Sequence, residues 1–311
     1  MQNKISIVIP TKDRTDDLKR CLDSIVSQLD NGDEIIIVDG GNIDQTERML
    51  KTFYAFNVKL ISDSVPNVSH ALNMGWMNAC NEIIAFVNDD IEFTEEWVKN
   101  VKYWFIELPD AKSIGGTTRD INERKMEYTL RKHPKISKLY DRLIMGGYLY
   151  KTGIITEWGS YSIGNIEPLR PMKVSGFSGA NMIFLKSILL ELGGFSTIFK
   201  YAGFEGHIYL QLLKRNYSVY LVPGCSVKHY PSPTGGTRNI FYLAQDYAVF
   251  FRMLRPNSLL GKIRKALNEL SFLLFWIIIY KGNTKKLRVL FKGYIHGLKL
   301  YKKYPNGDVI A

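Results

Sequence analysis

Residues 82–93 read EIIAFVNDDIEF. Ile83 to Val87 is apolar throughout, the pattern of a strand covered on both faces. It leads straight into Asn88, Asp89 and Asp90. Adjacent carboxylates repel each other, and the end of a buried strand offers them little water. In a parallel sheet wound with helices, ligands bind beyond the carboxyl ends of the strands, so the acidic pair marks a ligand edge. The plainer alternative makes the pair the cap of a helix beginning near Thr94.

Working outward, ISIVI (5–9) is a second apolar run, closed by Pro10. A helix follows, with Leu18, Cys21, Leu22, Ile25, Val26 and Leu29 at helical spacing and Asn31-Gly32 as its stop. Asp16 and Asp17 fall at its start, where the helix dipole favours them. EIIIVD (34–39) and VKLIS (58–62) are further strands. Asp44 and Glu47 read as a capping pair for a helix over about 47–53. Ser69 reads as the cap of a helix carrying Leu72, Trp76 and Cys80. Strands alternating with helices predict a mostly parallel sheet. Three strand ends then carry polar residues: Thr11 to Arg14, Asp39 to Gly41, and Asn88 to Asp90. Residues 117–175 are the least regular. Beyond them the pattern gives a short strand, a helix over about 187–192, a Gly-Gly stop, a helix over about 205–215 and a strand over 218–222.

The chain has 311 residues, 46% of them hydrophobic and 23% charged. That suits one large α/β domain, or a domain with an appendage, and excludes disorder. Its three cysteines, Cys21, Cys80 and Cys225, are odd in number and far apart. This excludes a disulfide framework and a CxxC metal pair, and points to a reducing compartment. The first apolar run is too short for a signal peptide. Net charge is +11, yet eleven of the 41 cations and only two of the 30 acids lie after residue 256. The basic character belongs to the tail. No nucleic-acid motif accompanies it, and no GxGxxG follows the first strand, which argues against a nicotinamide dehydrogenase.

The ordered motifs resemble those of a GT-A fold, family-2 inverting glycosyltransferase. IVIPTKDR, VDGGNIDQT, HALNMG, FVNDD, SGANM, LGGF, FEGH and VKHY stand in the family's order over about residues 4–230. The resemblance implies an α/β fold with a mixed, mostly parallel central sheet flanked by helices. It divides the chain into a catalytic domain, 1–237, and a C-terminal helical region, 238–311. Within the first, a nucleotide-binding half ends near 116 and an acceptor half spans 117–237.

It also assigns roles. Asp90 is the first-choice ligand of a Mn²⁺ or Mg²⁺ ion, with His229 as a further contact. Hard oxygen ligands suit such ions, and a divalent cation neutralises the charge developing on a diphosphate leaving group. Pro10, Thr11, Asp13, Arg14, Asp39, Asn73 and Asp89 fall on the nucleotide. Asn88, Gly179, Ala180, Asn181 and Phe204 fall on the donor and acceptor pocket, where small residues let the backbone approach. Glu205 stands where the family's catalytic Asp is usual and is the candidate base. Each role has a plainer counterpart: a first-turn Glu for Glu205, a helix-surface amide for Asn73, a structural His for His229. The sequence departs from the family pattern at Gly40, Asn88, Phe204 and His207, where acids are common. That keeps a non-catalytic sugar-nucleotide-binding subunit as the alternative to an enzyme.

The implied reaction moves a hexose from a UDP- or dTDP-sugar to a hydroxyl of a glycan or lipid-linked acceptor. In the tail, LSFLLFWIIIY (270–280) is too short to span a bilayer. With KLRVLFKGYIHGLKLYKK (286–303) it places apolar residues among cations, the signature of helices lying on an anionic membrane. The expected location is the inner face of the cytoplasmic membrane. The alternative is that these helices pack on the catalytic domain or on a second copy of the chain.

Overall fold

A computed structural model describes residues 4–53, 58–121, 132–162, 165–232 and 239–305. In chain order the elements are β1 (Ile5–Thr11), α1 (Thr15–Asp23), β2 (Glu34–Asp39), α2 (Ile43–Phe53), β3 (Val58–Ser62), α3 (Val68–Met77), β4 (Ile83–Val87), β5 (Ile91–Phe93), α4 (Trp97–Glu107), β6 (Ala111–Gly115) and β7 (Thr118–Asp120). There follow α5 (Pro134–Tyr140), β8 (Met172–Lys173), β9 (Asn181–Leu185), α6 (Lys186–Leu192), α7 (Phe204–Lys214), β10 (Ser218–Leu221), β11 (Val227–His229), α8 (Ile240–Met253), α9 (Leu259–Ile279) and α10 (Thr284–Lys303).

The large sheet has the order β3-β2-β1-β4-β9-β6-β10-β8. β3, β2, β1 and β4 run parallel. β9 runs antiparallel between β4 and β6, and β10 is again parallel to β6. β1 is buried on both faces, as a run of β-branched residues interrupted only by Ser6 suits: Ile5, Ile7 and Ile9 enter one core and Val8 the other.

The structure corrects several local expectations. β1 does not stop at Pro10 but runs to Thr11. β4 pairs with β1 only from Ile5 to Val8, so at Pro10 one side of the strand is free and a missing N–H costs nothing. α1 ends at Asp23, and a separate 3₁₀ turn carries Val26–Gln28. Asn42, not Asp44, accepts the capping bond, from the Gln45 amide. α3 is capped by Asn67, which accepts from the His70 amide, while Ser69 is buried inside the helix. The acidic pair caps no helix: β5 intervenes, and α4 begins at Trp97 behind a left-handed Glu96.

The tail is partly core. Val249, Phe250 and Phe251 of α8, with Leu254, join the same apolar cluster as Phe86 and Phe184 of the sheet. α10 lies against α8 so closely that a Cβ on Gly293 or Gly297 would sit 2.2 Å from the Phe241 carbonyl or 2.4 Å from that of Gln245. α9 leaves Leu259, Ile263, Leu270, Leu274 and Ile278 exposed. No described helix is long and apolar enough to cross a membrane. The expected boundary at 237/238 lies outside the described residues.

Candidate active site

The site begins at the end of β4. A second, three-stranded sheet, β5-β11-β7, crosses just beyond it. Its register sets His229 opposite Ile91 on one side and Asp120 on the other. His229 Nε2 therefore lies 3.2 Å from Asp90 Oδ1, and its Nδ1 is 2.5 Å from Asp120 Oδ1. Asp90 Oδ2 accepts the Ser232 amide at 3.1 Å. Asp89 accepts the Thr11 hydroxyl at 2.7 Å. Arg14 reaches both carboxylates, at 2.7 Å to Asp89 and 3.5 Å to Asp90. The chain thus supplies its own compensation for two neighbouring negative charges.

Burial sets the proton affinities. It lifts Asp89, which is fully buried, to about 7, although Arg14 and Thr11 pull it down. Burial also pushes Asp90 up, but His229, the Ser232 amide and Arg14 outweigh it and hold the carboxyl below its ordinary range. Burial would lower His229, yet Asp120 and Asp90 on either side raise it to about 9. Asp90 Oδ1 has no well-formed hydrogen bond despite its nearness to His229. A carboxylate oxygen beside an imidazole whose other nitrogen is held by a second carboxylate is a donor set that fits Mn²⁺ or Mg²⁺. Among the described residues no three acidic, His or Cys side chains form a ready-made cage.

β9 connects this edge to Glu205. Its antiparallel register pairs Val87 with Asn181, which brings residues 178–180 beside Asn88. A Cβ on Gly179 would lie 3.2 Å from the Phe204 ring and 3.8 Å from Glu205 Cβ. Glu205, in the first turn of α7, faces a cavity of about 190 Å³ also lined by Thr118, Tyr161, Phe177 and Gly179. Thr118 is two residues from Asp120 on β7, so cavity and acidic edge share a strand. Glu205 as a residue is half-buried, while its Oε2 is shut off from solvent and has no hydrogen-bond partner. Burial, with some help from the Asp246 charge, raises its carboxyl to about 7 against the pull of backbone amides.

The remaining expected residues divide. Pro10 and Thr11 form the tip of β1, and Thr11 pairs with Asp39 across to β2. Asp13, in the left-handed region at φ 52°, accepts the Asn42 amide at 3.0 Å. Asp39 is engaged within its own turn by the Gly41 amide and the Thr46 hydroxyl. Asn181 donates to the Cys225 carbonyl at 2.8 Å and braces the floor. Ala180 packs into the core, and Phe204 stacks edge-on against Phe195. Asn73 has a structural role: its amide donates to the Phe195 carbonyl and accepts from the Phe195 amide and the Trp76 indole. These bonds fasten α3 to the Gly-Gly-Phe turn and use Oδ1 and one N–H of the amide.

Asp120, Ser232 and Tyr161 are site residues that sequence reasoning missed. Asp120 ends a strand, as Asp39 does, but that strand has three residues and falls in the segment whose sequence is least regular.

A family model described as Glycosyl transferase family 2 matches residues 6–193, and the chain belongs to that family. It is 24% identical over 180 residues to glycosyltransferase GlyA of Streptococcus pneumoniae, covering 55% of this chain and 26% of that protein. It is 34% identical over 93 residues to the uncharacterized glycosyltransferase YibD of Escherichia coli, covering 29% and 27%. The chain thus spans about a quarter of the length of these two relatives. Among solved structures, the mannosyltransferase PcManGT of Pyrobaculum calidifontis, in complex with GDP-Man and Mn²⁺, superposes with a TM-score of 0.55 at 14% identity, covering 98% of this chain and 88% of that one. TarS of S. aureus superposes at 0.59 and 14%, covering 96% and 82%. Such likeness shows the fold, which is GT-A.

Proposed function

We propose that this chain is an inverting hexosyltransferase that moves a hexose from a UDP- or dTDP-sugar to a hydroxyl of a glycan or lipid-linked acceptor. The observation that carries the reading is Glu205: a half-enclosed carboxylate with one unpartnered oxygen, facing a cavity, with proton affinity near neutral. A general base works best when its pKa lies near the operating pH.

In this reading the acceptor hydroxyl enters the cavity and gives its proton to Glu205. Its oxygen forms the new bond to the anomeric carbon, and the bond to the diphosphate oxygen breaks on the opposite face. The electron pair leaves with the nucleotide diphosphate. Arg14 sits where it meets the donor's negative charge, and the tips of β1 and β2 receive the nucleoside. Asp90 and His229 would hold a Mn²⁺ or Mg²⁺ ion, which when bound neutralises charge on the departing diphosphate. The exposed apolar face of α9 and the cations around it support docking on the inner face of the cytoplasmic membrane, where a lipid-linked acceptor resides.

Glu205→Gln is the test. Nucleotide release in the presence of acceptor is expected to fall about 10²–10⁴-fold, with donor binding retained. Wild-type turnover in that variant removes Glu205 as the base and with it the proposed mechanism.

A further inference from the structure

Asp246 lies on α8, in a segment whose sequence carries no catalytic motif. Its side chain is wholly buried. The carboxylate accepts hydrogen bonds from three consecutive amides: Lys200 at 3.0 Å, Tyr201 at 2.7 Å and Ala202 at 3.0 Å. A fourth donor, Gln245 Nε2, stands at 3.2 Å. Four donors offset much of the cost of burying a charge.

The amides so gathered end at Gly203, whose left-handed backbone (φ 79°) turns the chain into α7. Two residues later stands Glu205. A side chain at Gly203 would crowd Phe199 at 3.3 Å and come into contact with Phe250 of α8 at 3.5 Å. The direction in which α7 starts is therefore set from α8. The connection extends further: Gln245 Oε1 lies 3.0 Å from His296 Nδ1 on α10, and Gly293 and Gly297 permit the close approach that brings His296 there.

We propose that Asp246 is the positioning residue for the catalytic base. By gathering the amides of residues 200–202 it fixes the start of α7 and aims the Glu205 carboxylate into the cavity, and the Gln245–His296 contact ties that aim to the tail helix α10. The inference rests on the reading of Glu205 as base.

The charge of Asp246 acts on Glu205 as well as its hydrogen bonds. The titratable groups that face Glu205 are Asp246 of α8, Tyr247 of α8, Tyr209 of α7 and Tyr161. Burial holds all three tyrosines above their ordinary range. They stay neutral where Glu205 titrates; burial lifts Asp246 itself to about 6 against the pull of its amide donors, below Glu205, so Asp246 is the group among them that carries negative charge as Glu205 ionises.

The test compares full-length wild type, Asp246→Asn and Gln245→Met. It measures nucleotide release against donor concentration and pH, with a melting curve for each protein. Asp246→Asn keeps the shape and removes the charge. Its kcat is expected to fall about 10–100-fold, the scale of a misplaced catalytic group, with donor KM little changed. The acid limb of the pH profile should move to lower pH. An unchanged kcat overturns the proposal. So does a fall in kcat with an unmoved limb, which is general damage, or a loss confined to KM. If Asp246→Asn does not fold, Gln245→Met decides: a several-fold lower kcat at unchanged KM supports the proposal, and wild-type kinetics overturn it. Glu205→Gln runs alongside. Wild-type turnover there defeats the reading of the base, whereas its normal loss beside an unaffected Asp246→Asn defeats only the positioning role.

Discussion

With Glu205 as the proposed base, its proton affinity would set the pH range in which this chain works. Burial raises the carboxyl to about 7, and only the ionised form accepts a proton. Turnover should therefore be low below pH 6, climb through pH 7 and level off above it. A flat profile between pH 5.5 and 8 in a nucleotide-release assay would contradict this. The glycine pair after β2 offers a second test. A Cβ on Gly41 would fall 2.3 Å from Asp13 Oδ1 and 2.6 Å from the Asp13 amide, whereas one on Gly40 meets nothing closer than 3.5 Å. Gly41→Ala should cost on the order of 1–3 kcal/mol and weaken nucleotide binding. Gly40→Ala should melt like wild type. Residue types differ in how much of their setting the sequence discloses, for a physical reason. An acid at a strand tip announces a ligand edge. An amide such as Asn73 looks the same in the sequence whether it faces a nucleotide or fastens a helix to a turn.

Among the elements, strand length decided what could be read. Ile83 to Val87, five apolar residues in a row, and Ile5 to Ile9, apolar but for Ser6, declare themselves because such runs need cover on both faces. β5, β7 and β11 have three residues each, too few for any period, yet they assemble the metal-fitting edge. Missing β7 meant missing Asp120, and leaving His229 without the partner that orients it. A carboxylate behind a ligating imidazole fixes its tautomer, and its loss typically costs 10–100-fold in metal affinity. Asp120→Asn should therefore raise the Mn²⁺ concentration needed for half-maximal turnover by about that factor. An unchanged Mn²⁺ titration would remove Asp120 from the site. The helix caps show the same limit: Asn42 and Asn67 took positions that Asp44 and Ser69 suit equally well by residue type.

At the scale of the whole molecule, the charge asymmetry visible in the sequence has a structural counterpart. α8 and α10 are packed together, while α9 presents Leu270, Leu274 and Ile278 to solvent among basic residues. The full chain should sediment with vesicles containing an anionic phospholipid and not with neutral ones. Binding should weaken at 0.5 M salt, where charge attraction is screened within a few ångströms. Leu274→Ser with Ile278→Ser should reduce it further. If the chain instead ignores vesicles and its mass by light scattering doubles with concentration, the apolar face belongs to a second copy.

The reversed strand at the centre of the sheet also restricts how such a protein can be rebuilt. β6 precedes the expected division at residue 116, yet both its neighbours, β9 and β10, follow it. The two halves are laced together like the teeth of a zip. A chimera spliced at that point, meant to pair one enzyme's donor preference with another's acceptor preference, would bring mismatched strands into contact along two seams. Exchanging the surface loops that surround the cavity, and leaving the sheet whole, is the route that this topology leaves open.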